Sequence, residues 1–125
     1  MAVTHPVAVR NALADYVVDQ LDLNAPPGKL VLLTNANSAV AILTFANPAF
    51  GSAAAGTATA NAISDDTNAL GGTIVKGELR NGAGTTIAMF SVTASGGGGD
   101  LQMNSVVVSA GQTVRVSALT YSGPP

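Results

Sequence analysis

Residues 43–63 read LTFANPAFGSAAAGTATANAI, two runs of alternating side chains joined by a segment rich in proline, glycine and alanine. Alternation with period two is the pattern of a strand, and proline and glycine interrupt it. The stretch therefore confines the chain to a β architecture with tight connections. Residues 38–45 put Val40, Ile42 and Thr44 on one side and Ala41, Leu43 and Phe45 on the other. Both sides are largely apolar, which predicts a strand covered on two faces. Asn47-Pro48 stops it, because proline has no N–H for the ladder and restricts the residue before it. Phe50 then reads as an apolar plug with Gly51 behind it. Residues 57–63 alternate again, with Ala58, Ala60 and Ala62 on one face and Thr57, Thr59, Asn61 and Ile63 on the other. An all-alanine face admits another layer at close range, either in tight sheet packing or at a contact between subunits.

Upstream, residues 4–23 predict one helix. Thr4 or His5 is placed to cap it, and Pro6 suits the first turn, where its missing N–H costs nothing. Val9, Leu13, Val17 and Leu21 recur every four residues, with Ala12 and Tyr16 beside them, as one apolar stripe. Asp15, Asp19 and Asp22 share a face that reads as solvated. Metal binding is the weaker alternative there, since helix-borne carboxylates without histidine or a glycine-shaped loop hold cations poorly. Residues 24–28, NAPPG, break the helix. Residues 29–34 predict a short buried strand, and 35–38 a turn.

After residue 63, Ser64-Asp65-Asp66-Thr67-Asn68 reads as a solvated turn, lacking the acidic alternation of a calcium loop. Residues 72–80 predict a strand with Val75 and Leu79 on one face and Ile74, Lys76, Glu78 and Arg80 on the other. Same-face neighbours on one strand are too far apart to expect a tight ion pair from Glu78. Asn81-Gly82-Ala83-Gly84 is a hairpin signal, and residues 85–93 predict the returning strand. Residues 94–100, ASGGGGD, predict a mobile loop rather than a phosphate cradle, because no Gly-Lys-Ser/Thr opens a helix after them. Residues 101–108 and 112–121 predict a final pair joined around Ser109-Ala110-Gly111, with Val114, Val116 and Ala118 facing one way. Seven or eight short strands with regular turns make the expected fold mainly β: an antiparallel sandwich over 29–122, jelly-roll-like, with one N-terminal α-helix, all in a single domain over 1–125.

Composition narrows function. Charged residues make up 10% of the chain, against about a quarter in an ordinary domain. The net charge is −2, and Arg10, Lys29, Lys76, Arg80 and Arg115 are scattered, so no phosphate-neutralising cluster exists and no nucleic-acid partner is expected. There is no cysteine, which excludes disulfides and thiolate-held metals. The single histidine, His5, has no second histidine for a metal site and no Gly-x-Ser-x-Gly elbow to serve. With no tryptophan and few aromatics, a sugar-processing cleft is not expected. No catalytic residue, cofactor or metal is expected. No run is long enough to predict a membrane span, and MAVTHPVAVR lacks the pattern of a signal peptide.

Several phrases occur in a telling order: Arg10-Asn11-Ala12 in the helix, the strand at 29–34, Asn47-Pro48-Ala49-Phe50-Gly51, Gly56-Thr57-Ala58-Thr59-Ala60-Asn61-Ala62-Ile63, a Gly/Asp loop before Leu101-Gln102-Met103-Asn104, and Ser109-Ala110-Gly111-Gln112-Thr113-Val114-Arg115-Val116. Together they resemble small virion structural proteins of tailed bacteriophages, the β-sandwich capsid cement or decoration proteins. The resemblance implies a protein made in the host cytoplasm and bound, as a dimer or trimer, to the major capsid protein on the virion surface, with no membrane partner. It implies attachment through the helix face, the glycine loop and the C-terminal tail. The candidate contacts are Arg10, Gly96, Gly97, Gly98, Gly99, Tyr121, Pro124 and Pro125. The alternatives are a tail or head–tail connector component and, from another class, a carbohydrate- or host-binding module, which the lack of aromatics disfavours.

Overall fold

Strand β1, Lys29–Leu33, is paired along both edges and covered on both faces. Its register puts Leu30 opposite Leu43 on one side and Leu79 on the other, and Leu32 opposite Ala41 and Gly77. Leu30 and Leu32 have no solvent exposure. Burying a side chain of that size contributes roughly 1.5–3 kcal/mol. The computed structural model in which this is seen describes residues 3–24, 27–99, 101–116 and 119–122.

Helix α1, Val7–Asp19, runs into a 3-10 turn at Gln20–Asp22. Ten strands follow: β1, β2 (Ala39–Phe45), β3 (Thr57–Thr59), β4 (Ile63–Ser64), β5 (Gly72–Thr73), β6 (Lys76–Arg80), β7 (Thr86–Ala94), β8 (Leu101–Met103), β9 (Val107–Val108) and β10 (Thr120–Ser122). Six of them form one sheet in the order β4-β2-β1-β6-β7-β8, while β10 pairs with β3 and β5 with β9. The fold is mainly β with one N-terminal helix. Every pairing is antiparallel except β7 with β8, so the main sheet is mixed rather than wholly antiparallel.

The parallel pair is unusual because only the 95–100 connection separates its strands; parallel neighbours ordinarily need a crossover of a dozen or more residues. Gly96 and Gly98, at φ +88° and +81°, supply the left-handed turns that send the chain back to re-enter in the same direction. The glycine run expected to be loose is hydrogen-bonded: Ser95, Gly96, Gly97 and Gly99 donate to Met103 O, Gln102 Oε1, Ala94 O and Thr93 Oγ1.

The core joins Val18 and Leu21 of the helical segment to Leu43, Phe45, Phe50, Ala58, Ile74, Val92, Val114 and Val116. Phe50 fills the expected plug position, 5.7 Å from Phe45 between ring centroids. On the core face the tip of the Phe90 ring occupies the space above Gly77, where a Cβ would collide with its Cζ and Cε2.

Several expected elements are divided. The helix has Pro6 as its N-cap, with no side-chain cap, so it starts later than the expected residue 4, and Pro6 takes the cap position expected of Thr4 or His5. The run 57–63 is two strands, since Asn61 donates from its backbone to Ala49 O and from its side chain to Pro48 O, turning the chain toward β2. The run 72–80 also splits: Ile74 leaves the expected polar row for the core, bonded to Val106 O. Among the described residues, 101–108 and 112–121 do not pair with each other; β8 joins β7, β9 joins β5, Val114 bridges Asp66 and β10 joins β3. The hairpin turn forms as read, with Asn81 Oδ1 accepting from Ala83 and Thr85.

Gly77→Ala is expected to destabilise the protein by about 1–3 kcal/mol in urea unfolding, because Phe90 must leave its site. Gly51→Ala, whose Cβ would have Thr59 O at 3.8 Å, is the matched control and is expected to change stability by less than ~1 kcal/mol.

Candidate functional site

Helix α1 is rolled relative to its apolar stripe. Ala14, Val18 and Leu21 face the core, Leu13 and Val17 are half-buried, and Val9 and Tyr16 stand in solvent. The cause is a set of acceptors on the neighbouring arc. The Oδ1 atoms of Asn11, Asp15 and Asp22 accept from the backbone N–H of Gly56, Ala53 and Ala49 at 2.7, 2.7 and 2.9 Å. The 46–56 connection is poor in polar side chains, so amides that its own backbone leaves unpaired find acceptors on the helix. The face read as solvated is therefore a clamp on the 46–56 connection. Among the described residues no group of three or more histidine, cysteine or carboxylate side chains could hold a metal.

Asp19 lies between the two clamping carboxylates and makes no such bond. Burial, then the charges of Asp15 and Asp22, raise its pKa above the ordinary aspartate value. Elsewhere the described carboxylates are paired. Asp66 accepts from Ile42 N at 2.8 Å and Asn68 N at 2.9 Å, and Asp65 takes Arg115 in a two-point contact. The 64–68 turn is thus tied to β2 and to the 112–116 segment rather than merely hydrated. Arg80 reaches Glu78 at 2.6 Å, closer than strand spacing suggested, because the long guanidinium arm bends back along the strand. With Thr86 Oγ1 donating as well, the Arg80 hydrogen bond lowers the Glu78 pKa.

The expected contact residues fall in different places. Arg10 is half-buried against Gly56, whose Cβ would lie 2.8 Å from the guanidinium Cζ, and its Nε is buried without a hydrogen-bond partner. It supports the clamped loop instead of projecting from the surface. Gly96, Gly97 and Gly98 are exposed and Gly99 is partly covered by Thr93, all within the turn between β7 and β8. Tyr121 is half-buried on β10 and lines a groove of about 390 Å³ with Leu79, Ala88, Met89 and Phe90. Pro124 and Pro125 lie outside the described residues. The structure does not bring Arg10, the glycine turn and Tyr121 into one site.

What it does assemble is a lightly charged outer helix face. Ala8, Val9, Ala12 and Tyr16 are exposed along one side of α1, with Tyr16 at 68%. Sequence reasoning placed part of this strip inside. The available signal was the line Asn11, Asp15, Asp22 beside a loop whose only polar side chains are Asn47 and Ser52.

Asp15→Ala and Asp22→Ala are each expected to cost about 1–2 kcal/mol in denaturant unfolding, with Asp15→Asn losing less because it keeps an acceptor oxygen. Asp19→Asn should act oppositely. A carboxyl whose pKa rises on folding disfavours the folded state once ionised, above its raised value, and not below the ordinary carboxylate range. The substitution should therefore stabilise at neutral pH, and urea titrations should show the gain vanishing in acid.

No protein-family model, no curated protein and no solved structure matches the chain.

Proposed function

We propose that the chain is a virion structural protein of a tailed bacteriophage: a capsid cement or decoration protein that binds the major capsid protein and stabilises the head. The observation that carries the reading is the outward strip of α1, where Ala8, Val9, Ala12 and Tyr16 face solvent while Asn11, Asp15 and Asp22 are held by the protein's own backbone. Apart from Asp19, which is exposed on the same arc, the helix's acidic and amide groups are spent inward, which leaves a partner a face with a single charge to desolvate. Such a face suits repeated attachment to a shell, where many weak contacts add through multivalency. The order of sequence phrases given above supports the same reading, and self-association as a dimer or trimer belongs to it. On this reading the protein works on the capsid surface, after synthesis in the host cytoplasm.

The copy number of the chain in purified particles, measured by quantitative mass spectrometry against the major capsid protein, tests the proposal. A simple stoichiometric ratio to the shell subunit is the expected result. A small ring-like number would assign the chain to the tail or connector, and absence from particles would end the virion reading. Tyr16→Asp is expected to lower particle occupancy at least tenfold while leaving unfolding free energy within ~0.5 kcal/mol of wild type.

A further inference from the structure

Asn81-Gly82 is the only Asn-Gly pair in the chain. An asparagine before glycine is chemically prone to modify itself, because glycine has no side chain to shield its amide nitrogen from the neighbouring carboxamide. In an unfolded chain a hydroxide ion removes the Gly82 amide proton and the nitrogen attacks Asn81 Cγ. The N–Cγ bond forms, the Cγ–Nδ2 bond breaks, and the departing nitrogen takes a proton from water and leaves as ammonia. Water then opens the succinimide at either carbonyl, which yields aspartate or iso-aspartate.

The fold holds Asn81 against this reaction. Its N–H donates to Thr85 O and its C=O accepts from Gly84 N, both at 3.0 Å. Its Oδ1 accepts from Ala83 N and Thr85 N, also at 3.0 Å. Gly82 is exposed, but Asn81 is 4% exposed and is the one buried polar residue among those described. For Cγ to meet Gly82 N, the carboxamide must leave its site. The Ala83 and Thr85 amides then lose their shared acceptor, so the turn has to open with it. The turn joins β6 to β7, where Leu79 pairs with Ala88 and Gly77 with Phe90, so opening works against the main sheet.

We infer that Asn81 is a self-modification site gated by the β6–β7 hairpin: the closed hairpin protects it, and it converts to aspartate or iso-aspartate only in molecules whose hairpin opens. The rate then follows the population of the open state. Because the conversion is one-way, it keeps a record of opening. Iso-aspartate also lengthens the main chain of the turn by an atom, so the bonds around Asn81 cannot all re-form. The fold thereby inverts the reactivity written in the sequence. Asn104, followed by the bulkier Ser105, is exposed and stays available to solvent. The inference does not depend on the virion reading, and its test uses the isolated protein.

The full chain is incubated at mildly alkaline pH in buffer and in concentrated urea. Mass-spectrometric peptide mapping then reads amide loss at Asn81 and Asn104 in the same sample. Loss at Asn81 is expected to be about tenfold or more slower in buffer than in urea, while Asn104 differs little. Gly84→Val loosens the hairpin. Gly84 has φ +87° and nothing within 4 Å of a Cβ, so valine strains the turn without touching Asn81 or the core. It is expected to raise the Asn81 rate in buffer by roughly threefold or more and to leave the rate in urea unchanged. Gly84→Ala, a milder strain, takes its place should the valine variant fail to fold. Equal rates at Asn81 in buffer and urea, or a loosened variant no faster than wild type in buffer, would overturn the inference. A rate in buffer above that in urea would also overturn it, because the Ala83 and Thr85 amides would then act on Oδ1 as an oxyanion hole rather than a lock.

Discussion

The double-sided burial of β1 is the constraint on which the rest of the structure depends. A strand with both edges paired and both faces covered cannot slip by one residue without sending each buried row into the packing of the opposite face. The register of Leu30 and Leu32 thereby fixes β2 and β6, and through β6 it fixes β7. Leu43, Leu30, Leu79 and Ala88 form one row across four strands, and Ala41, Leu32, Gly77 and Phe90 the next. Gly77 is the place where a missing side chain lets an aromatic ring complete that row.

Most of what the sequence reveals is local. The strands at 29–34 and 38–45, the Asn81 turn, the Phe50 plug and the alternation that buries Val114 and Val116 all follow from side-chain period and turn chemistry within a few residues. Pairing partners are a different matter. β4, β5 and β9 are two residues long, and β3, β8 and β10 three, too short for hydrophobic pattern to specify a neighbour. Around β4 the path is fixed instead by single polar groups acting over long separations: Asp66 on the Ile42 amide, Asn61 on Pro48 O, and Asp65 on Arg115. The parallel β7–β8 pair was hidden for a related reason, because a glycine run has no side chains to announce which way it turns.

The helix shows how a hydrophobic stripe can mislead. Val9, Leu13, Val17 and Leu21 have the right period, yet the buried arc is centred on Ala14 and Val18. A few apolar contacts on either arc are worth similar amounts. The orphan amides of the 46–56 connection are not indifferent: each buried donor left without a partner costs about 1–3 kcal/mol. The polar requirement of the loop therefore outweighs the stripe and rolls the helix, leaving Val9 and Tyr16 outside.

That outcome links the fold to the proposed role. A chain with so few charged side chains has few polar groups to spend. Here Asn11, Asp15 and Asp22 go to the alanine-rich loop, Glu78 and Arg80 to each other, and Asp65 and Arg115 likewise. Apart from Asp19 and a few scattered cations, the surface left over is apolar or hydroxyl-bearing, with little that could steer a charged ligand. Internal satisfaction of the polar groups is thus the physical condition for an adhesive exterior. The helix strip is a consequence of it, suited to side-chain packing.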